Sequence, residues 1–217
     1  YLQTELFKKA AMQKEMDALN LLYDRQRKQY QIARQNVQII NRKCHELKVQ
    51  IADLRRLQPD EATTQSLDEA EQAARMYDAN AATGNEVLDV VLTEKSLLCE
   101  AQRIRLNCVA DGTCLAAIEP GDLYALFSNL LDQAIDAAAQ QQNDRRMIDL
   151  LVCRRQGFAV INVIGPALSG SQSDHGRRHS YELKVARRVV QKYSGTMATE
   201  PRGELFAVKI VMPLTRG

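Results

Sequence analysis

The sequence predicts an α+β protein in two parts: a long helical hairpin over residues 1–83, then an α/β sandwich over residues 84–217. Three observations carry this. Residues 1 to 57 contain neither Gly nor Pro, and their apolar residues recur in alternating steps of three and four. Thr83-Gly84-Asn85 then interrupts the helical texture. Beyond it, helix-spaced stretches alternate with short apolar runs of period two. Bulk composition agrees, since 217 residues with 45% apolar and 26% charged side chains fit a folded chain and exclude wholesale disorder. Aromatics make up only 5%, with no Trp, which favours helices that pack through aliphatic and Ala-rich seams.

In the first helix the apolar stripe runs Met12, Met16, Leu19, Tyr23, then Tyr30, Ala33, Val37, Ile40, Cys44, Leu47, Ile51 and Leu54. Gln26 alone interrupts it. Such spacing keeps one seam turned to a partner helix, the mark of a coiled coil, and Pro59 ends it. After a Gln58-Pro59-Asp60 connection, Ser66 and Glu69 have capping-box spacing, and Leu67, Ala70, Ala74, Tyr77 and Ala81 share a face. This is the second, antiparallel arm. A hairpin so narrow buries little alone, so a homodimer through it, forming a four-helix bundle, is its natural completion.

In the second part, residues 86–101 read as a helix with Val87, Leu88, Val91, Leu92, Leu98 and Cys99 apolar. Ile104, Leu106 and Cys108 alternate as in a strand. Glu119-Pro120-Gly121-Asp122 opens another helix. Residues 147–154 and 158–164 are strands parted by Gln156-Gly157. Residues 167–180, rich in Ser, Gly, His and Arg, read as a long loop. A helix over 181–193 follows, closed by Ser194-Gly195, and Phe206, Val208, Ile210 and Met212 form a last strand. The expected result is a mixed sheet with helices on one face.

Several classes are excluded. A formal net charge of +2 gives no nucleic-acid footprint. No apolar run approaches the ~18 residues a membrane span needs. The five cysteines, Cys44, Cys99, Cys108, Cys114 and Cys153, are odd in number and contain no C-x-x-C pair, which argues against a disulfide framework or structural zinc and for a reducing compartment. His175 and His179 stand four apart but have no third ligand nearby, so they read as loop residues. A chain that begins at Tyr1 reads as part of a longer protein.

The segment from Asp122 to Ala138 holds the most chemistry. Leu123, Leu126, Phe127, Leu130, Leu131, Ala134, Ile135 and Ala138 form a wide apolar face. Asn129, Asp132, Gln133 and Asp136 fall at 0, +3, +4 and +7 on the other side. From spacing alone this stripe is either the solvent face of an amphipathic helix, the commoner case, or a row of amides and carboxylates able to hold a hydrated metal and a nucleotide triphosphate.

Residues 129–137, Asn-Leu-Leu-Asp-Gln-Ala-Ile-Asp-Ala, resemble the N box of the histidine-kinase-like (GHKL) ATPases, usually N-L-L-D-N-A-I-E-A. Thr83-Gly84-Asn85 with Leu88-Asp89 and Lys95 resembles the start of the ATP-binding domain in sensor histidine kinases of the peptide-quorum-sensing type. Cys44-His45-Glu46-Leu47-Lys48 is similar to their phosphoacceptor motif, C/R-H-D-L-K. Leu183, Val185, Arg188-Val189-Val190, Lys192-Tyr193-Ser194-Gly195 and the strand Val208 to Pro213 follow in the family's order. The resemblance covers about residues 30–214.

It implies a dimerisation and phosphoacceptor hairpin followed by a sandwich of the Bergerat type. It further implies ATP-dependent autophosphorylation on His45 and transfer to an aspartate of a response regulator. His45, beside the seam, would take the phosphoryl group, and Glu46 would hold its tautomer. Asn129 would ligate Mg²⁺, and Gln133 would stand where a second Asn contacts the phosphates, with Asp132 and Asp136 completing the nucleotide-binding stripe. The chain would be the cytoplasmic portion of a protein held at the inner face of the cell membrane by a sensor segment outside it.

The pattern also has departures. Where the family places an acidic or amide residue to read adenine, this chain has Ile164 and Gly165, with Asn162 two residues too early. Ser180 and Glu182 replace two glycines expected beside the phosphates, and Glu182 brings a carboxylate towards a polyanion. Arg177 and Arg178 offset it in part or merely solvate the loop. These departures leave a second reading, a degenerate relative that serves as a dimerisation and regulator-docking module with weak or no ATP binding.

Overall fold

With no Gly or Pro to break it, the first helix, α1, runs from Leu2–Arg56, 55 residues and about 80 Å. A second helix, α2 (Glu61–Asp78), returns alongside it. The computed structural model of the protein describes residues 2–56, 61–78, 83–142, 145–167 and 174–214. The Gln58-Pro59-Asp60 connection, Ala81 and residues 168–173 lie outside the described residues, as do the side chains of Leu19, Tyr23, Ala74, Tyr77 and residues 174–182. Where the two arms meet, Ile51 and Leu67 are buried, and Arg55 pairs with Asp68 and with Glu71. Ser66 does not cap α2. The helix already begins at Glu61, so Ser66 lies in its second turn.

Asn85 caps the next helix, α3 (Glu86–Ala101), its side chain accepting from the N–H groups of Val87 and Leu88 at 3.1 and 3.2 Å. Gly84, at φ +83°, makes the turn before the cap. Thr83 donates from its hydroxyl and its backbone N–H to Asp89, at 2.6 and 2.9 Å, so the start of this part is pinned to its first helix. Strand β1 (Arg105–Ala110), a 3₁₀ turn (Gly112–Leu115) and helix α4 (Pro120–Ala139) follow. Pro120 occupies the first helical position of α4, where its missing N–H costs nothing.

Strands β2 (Met147–Arg155) and β3 (Phe158–Pro166), helix α5 (Asp174–Lys192), and strands β4 (Thr196–Arg202) and β5 (Leu205–Pro213) complete the fold. The five-stranded sheet has the order β1-β2-β3-β5-β4, with β1 parallel to β2 and the other pairs antiparallel. Strand β4 was not legible as a strand: few of its residues are apolar and it contains Pro201, which an edge strand tolerates. The stretch read as a loop over 167–180 is helical from Asp174, so His175 and His179 fall in α5.

Inward positions of β3, Ala159, Ile161, Val163 and Gly165, are buried in strict alternation against the helices. Asp122 in the first turn of α4 is fully buried. It accepts from Lys192 Nζ at 2.6 Å and from Tyr193 Oη at 2.7 Å, and Tyr193 Oη accepts from the Glu119 N–H at 2.9 Å. The end of α5 is thereby tied to the start of α4, and the bond to Asp122 holds the Lys192 ammonium above the ordinary lysine range.

The seam of α1 does not face one partner along its length. Tyr30, Ala33 and Val37 join the core of the sandwich, while Met12, Met16, Leu47 and Leu54 are 67%, 49%, 47% and 49% exposed. No described helix is long and apolar enough to cross a membrane.

Where α5 hands over to β4, a Cβ on Gly195 would stand 2.5 Å from Met212 Cγ and 2.9 Å from both Val190 Cγ1 and Val211 O. Gly195→Ala should therefore cost about 1–3 kcal/mol through overpacking. Urea unfolding followed by circular dichroism would show a lower midpoint, and an unchanged midpoint would contradict this close approach.

Candidate functional site

Residues 121–131 of α4 are buried without interruption. The sheet lies on one side of the helix, α3 and α5 flank it, and α1 crosses it. The expected apolar face is buried throughout. The polar stripe, however, is neither a solvent face nor a single row. Asn129 and Gln133 are 4% and 8% exposed, whereas Asp132 and Asp136 are half-buried. Asn129 Nδ2 donates to the Ala125 carbonyl and, at 2.9 Å, to Oε1 of Gln26 on α1. Gln133 instead turns to a cavity of about 240 Å³ between α4 and the strands β3 and β5.

That cavity is walled by Ala134, Val163, Gly165, Phe206 and Val208 among others, and Gln133 supplies the one polar side chain among the described lining residues. A Cβ on Gly165 would stand 3.5 Å from Ala134 Cβ, so the bare backbone of β3 forms the wall facing the helix. Ile164 and Asn162 point the other way, as period two requires. The cavity thus offers a flat ring apolar walls and one amide. Ser180 and Glu182 lie on the backbone of α5. With α5 starting at Asp174, Glu182 is two turns inside the helix and not at its first turn, as the sequence had suggested.

Asp132 belongs to a different cluster. Lys95 of α3, only 5% exposed at its side chain, lies 2.8 Å from Asp132 and 3.0 Å from Glu94. Ser128 donates to Asp132 at 3.2 Å, and Tyr124 Oη donates to Glu94 at 2.9 Å. Burial by itself would lower the Lys95 ammonium, but the two carboxylates outweigh it and hold it above the ordinary lysine value. Burial, reinforced by Glu94, also raises the Tyr124 phenol.

His45 is exposed on α1, next to buried Cys44. Glu46 does not serve it in this arrangement. Its carboxylate pairs with Lys43 at 2.7 Å, and that hydrogen bond keeps it below the usual glutamate range. His45 lies nineteen residues beyond Gln26, so about 28 Å of helix separates it from the residue resting on Asn129. Asn129 thus stands one helical turn before Gln133 but faces α1 and not the cavity, and His45 lies far along α1 from it.

Sequence reasoning passed over Gln26 and the Lys95 cluster as site residues. The signal for Gln26 was its polarity at a seam position. For Lys95 it was the sole cation of a helix whose other charged residues, Glu86, Asp89, Glu94 and Glu100, are all acidic.

Lys95→Met should destabilise the fold by about 1–3 kcal/mol. That is less than the full cost of a broken buried pair, because Asp132 and Glu94 are each more than a third exposed. A raised lysine contributes fully below its unfolded value, about 10.4, and loses its contribution as pH rises through the higher folded value. The gap between wild type and variant in denaturant titrations should accordingly stay level through neutral pH and close only above about pH 10. A gap that closed near pH 7 would contradict the assignment.

No curated protein matches the chain in sequence. Similar solved structures include histidine kinase AdeS of Acinetobacter baumannii, at 15% identity over 79% of this chain and 98% of that one, TM-score 0.45. Others are the nucleotide-free catalytic domain of histidine kinase ThkA (16% identity, 59% of this chain and 91% of that one, TM-score 0.46) and the histidine kinase domain of the blue-light activated EL346 of Erythrobacter litoralis (15%, 83% and 94%, TM-score 0.40). Residues 118–213 match the GHKL domain family, a span that begins just before α4, ends with β5, and takes in Asn129, Gln133 and their cavity.

Proposed function

We propose that the chain is the catalytic portion of a sensor histidine kinase of the peptide-quorum-sensing type, with residues 1–83 as the dimerising, phosphoacceptor hairpin and residues 84–217 as the ATP-binding domain. The observation that supports this most is the Gln133-lined apolar cavity inside the GHKL match, one helical turn from Asn129. The exposed histidine of a C-H-E-L-K run on the preceding helix supports it as well.

On this reading the cavity between Gln133, Ala134 and Gly165 takes the base of ATP. Asn129 offers an amide oxygen, a hard ligand of the kind Mg²⁺ accepts when substrate phosphates and water fill its remaining positions. Mg²⁺ supplies neutralisation of charge on the phosphates. A ring nitrogen of His45 attacks the γ-phosphorus. The N–P bond forms as the bond to the β,γ-bridging oxygen breaks, and ADP leaves with that electron pair. Glu46, once released from Lys43, holds the second ring N–H and so fixes the tautomer. An aspartate of a response regulator then takes the phosphoryl group. The exposed seam residues Met12, Met16, Leu47 and Leu54 support a homodimer, in which a second copy of the hairpin would cover them. The parent protein would sit at the inner face of the cell membrane.

Incubation with γ-labelled ATP and Mg²⁺ should yield acid-labile, base-stable label that vanishes in His45→Ala and falls on the order of 100-fold in Asn129→Ala. Label that survives His45→Ala would overturn the acceptor. Absence of label, with no shift in melting temperature on adding Mg·ATP, would overturn the kinase reading.

A further inference from the structure

We infer that strand β1, at the free edge of the sheet, docks β1 of a second copy of this chain, antiparallel across a two-fold axis. The inference stands apart from the kinase reading and concerns a different surface from the cavity and the hairpin. The strand order β1-β2-β3-β5-β4 leaves two edges, and they are finished differently. On β4, Glu200 and Pro201 interrupt the strand, a common means of discouraging a further one. On β1, the run Leu106-Asn107-Cys108-Val109-Ala110 carries no Pro, Gly or charge, and Val109 is 69% exposed. Such an unguarded edge is a template for strand addition.

Backbone direction shows what this edge offers. The Arg105 N–H donates to the Arg146 carbonyl at 2.8 Å, and the Asp111 N–H to the Val152 carbonyl at 2.9 Å. Odd-numbered residues of β1 therefore spend their backbone groups on β2. The N–H and C=O groups of Leu106, Cys108 and Ala110 face away from the sheet, and among the described residues none has a partner. Alone among the five cysteines, Cys108 is exposed, so the edge is open at its centre.

A second copy fits in one register. Core-facing side chains stay on the core side only if paired positions are both even or both odd. Setting Cys108 opposite Cys108 of the second copy brings each Leu106 opposite an Ala110, and every outward N–H and C=O gains a partner. Leu106 and Ala110 already pack against the core, so these pairs extend it across the axis. The same register places exposed Arg105 opposite exposed Asp111, twice by symmetry, which joins charges of opposite sign. Sliding by two residues sets Ala110 opposite Ile104 or Leu106 opposite Gly112. Their N–H groups are already given to the carbonyls of Cys99 and Thr83. The hairpin dimer would form through another surface, so a chain that uses both assembles beyond a dimer.

The test uses the full chain. Cys108→Pro removes an outward N–H at the centre of the pairing, where an edge strand tolerates proline. Arg105→Asp sets like charges opposite each other, whereas Arg105→Lys keeps them opposite in sign. Sedimentation over a concentration series should show an association step in wild type that Cys108→Pro abolishes. Arg105→Asp should weaken that step about tenfold, and Arg105→Lys should leave it within about twofold. Amide exchange at Leu106, Cys108 and Ala110 should slow at least about tenfold in wild type as concentration rises, with no change along β4. Association that survives all three substitutions, with these amides fast at every concentration, overturns the inference and leaves the kinase reading standing. Slow exchange at a concentration where the chain sediments as a monomer also overturns it, because the edge is then covered within one chain. Should Cys108→Pro lose its circular dichroism, Arg105→Asp and the wild-type exchange series decide alone.

Discussion

The constraint on which the rest depends is the burial of α4. Over residues 121–131 every position of this helix is buried, so protein covers it on all sides. An amphipathic helix lying on a sheet needs cover on one side only. Here Leu123, Leu126, Phe127, Leu130 and Leu131 lie in the hydrophobic core, while Tyr124 and Asn129 find polar partners on α3 and α1. The hairpin is therefore more than a neighbour of the sandwich. Part of its seam is a wall of the sandwich core, and Asn129 finds a partner on that wall in Gln26.

Polar burial on this scale is stable when most of its groups are satisfied, and among the described residues only Asp122 Oδ1 and Gln102 Oε1 are buried without a hydrogen-bond partner. Asp122 takes Lys192 and Tyr193, Glu94 takes Tyr124, Lys95 takes two carboxylates, and Asn129 takes an amide from another helix. The ends of the set differ in character. The Asp122 network joins α4 to α5, both within the sandwich, and fixes their geometry. The Asn129 contact joins α4 to α1, whose exposed upper and lower seam residues are suited to other company.

Much of this was legible in the sequence because it follows from local rules. A Gly- and Pro-free stripe gives α1, Asn85 after Gly84 gives the start of α3, Pro120 gives the start of α4, and alternation gives β2, β3 and β5. Thr196–Arg202 escaped notice because an edge strand needs only backbone pairing with β5, which leaves no hydrophobic mark. Asp174 to Ser180 escaped because polar composition resembles a loop, although a helix exposed on one face can be equally polar. On α4, spacing put Asn129, Asp132, Gln133 and Asp136 on one side but did not show how they divide. Helical period places all four on one side, whereas the neighbours that split them, Gln26, Lys95 and Gly165, come from three distant segments.

The long first helix draws these strands together. A continuous helix is stiff along its axis, and moving α1 relative to the sandwich shifts Gln26 and His45 as one body. Any movement of α1 therefore carries Gln26 and His45 together, at a fixed separation along the helix. A loop between Gln26 and His45 would have uncoupled them. The absence of Gly and Pro from residues 1 to 57, which first marked the segment as helical, is thus also what links His45 mechanically to the residue that rests on Asn129.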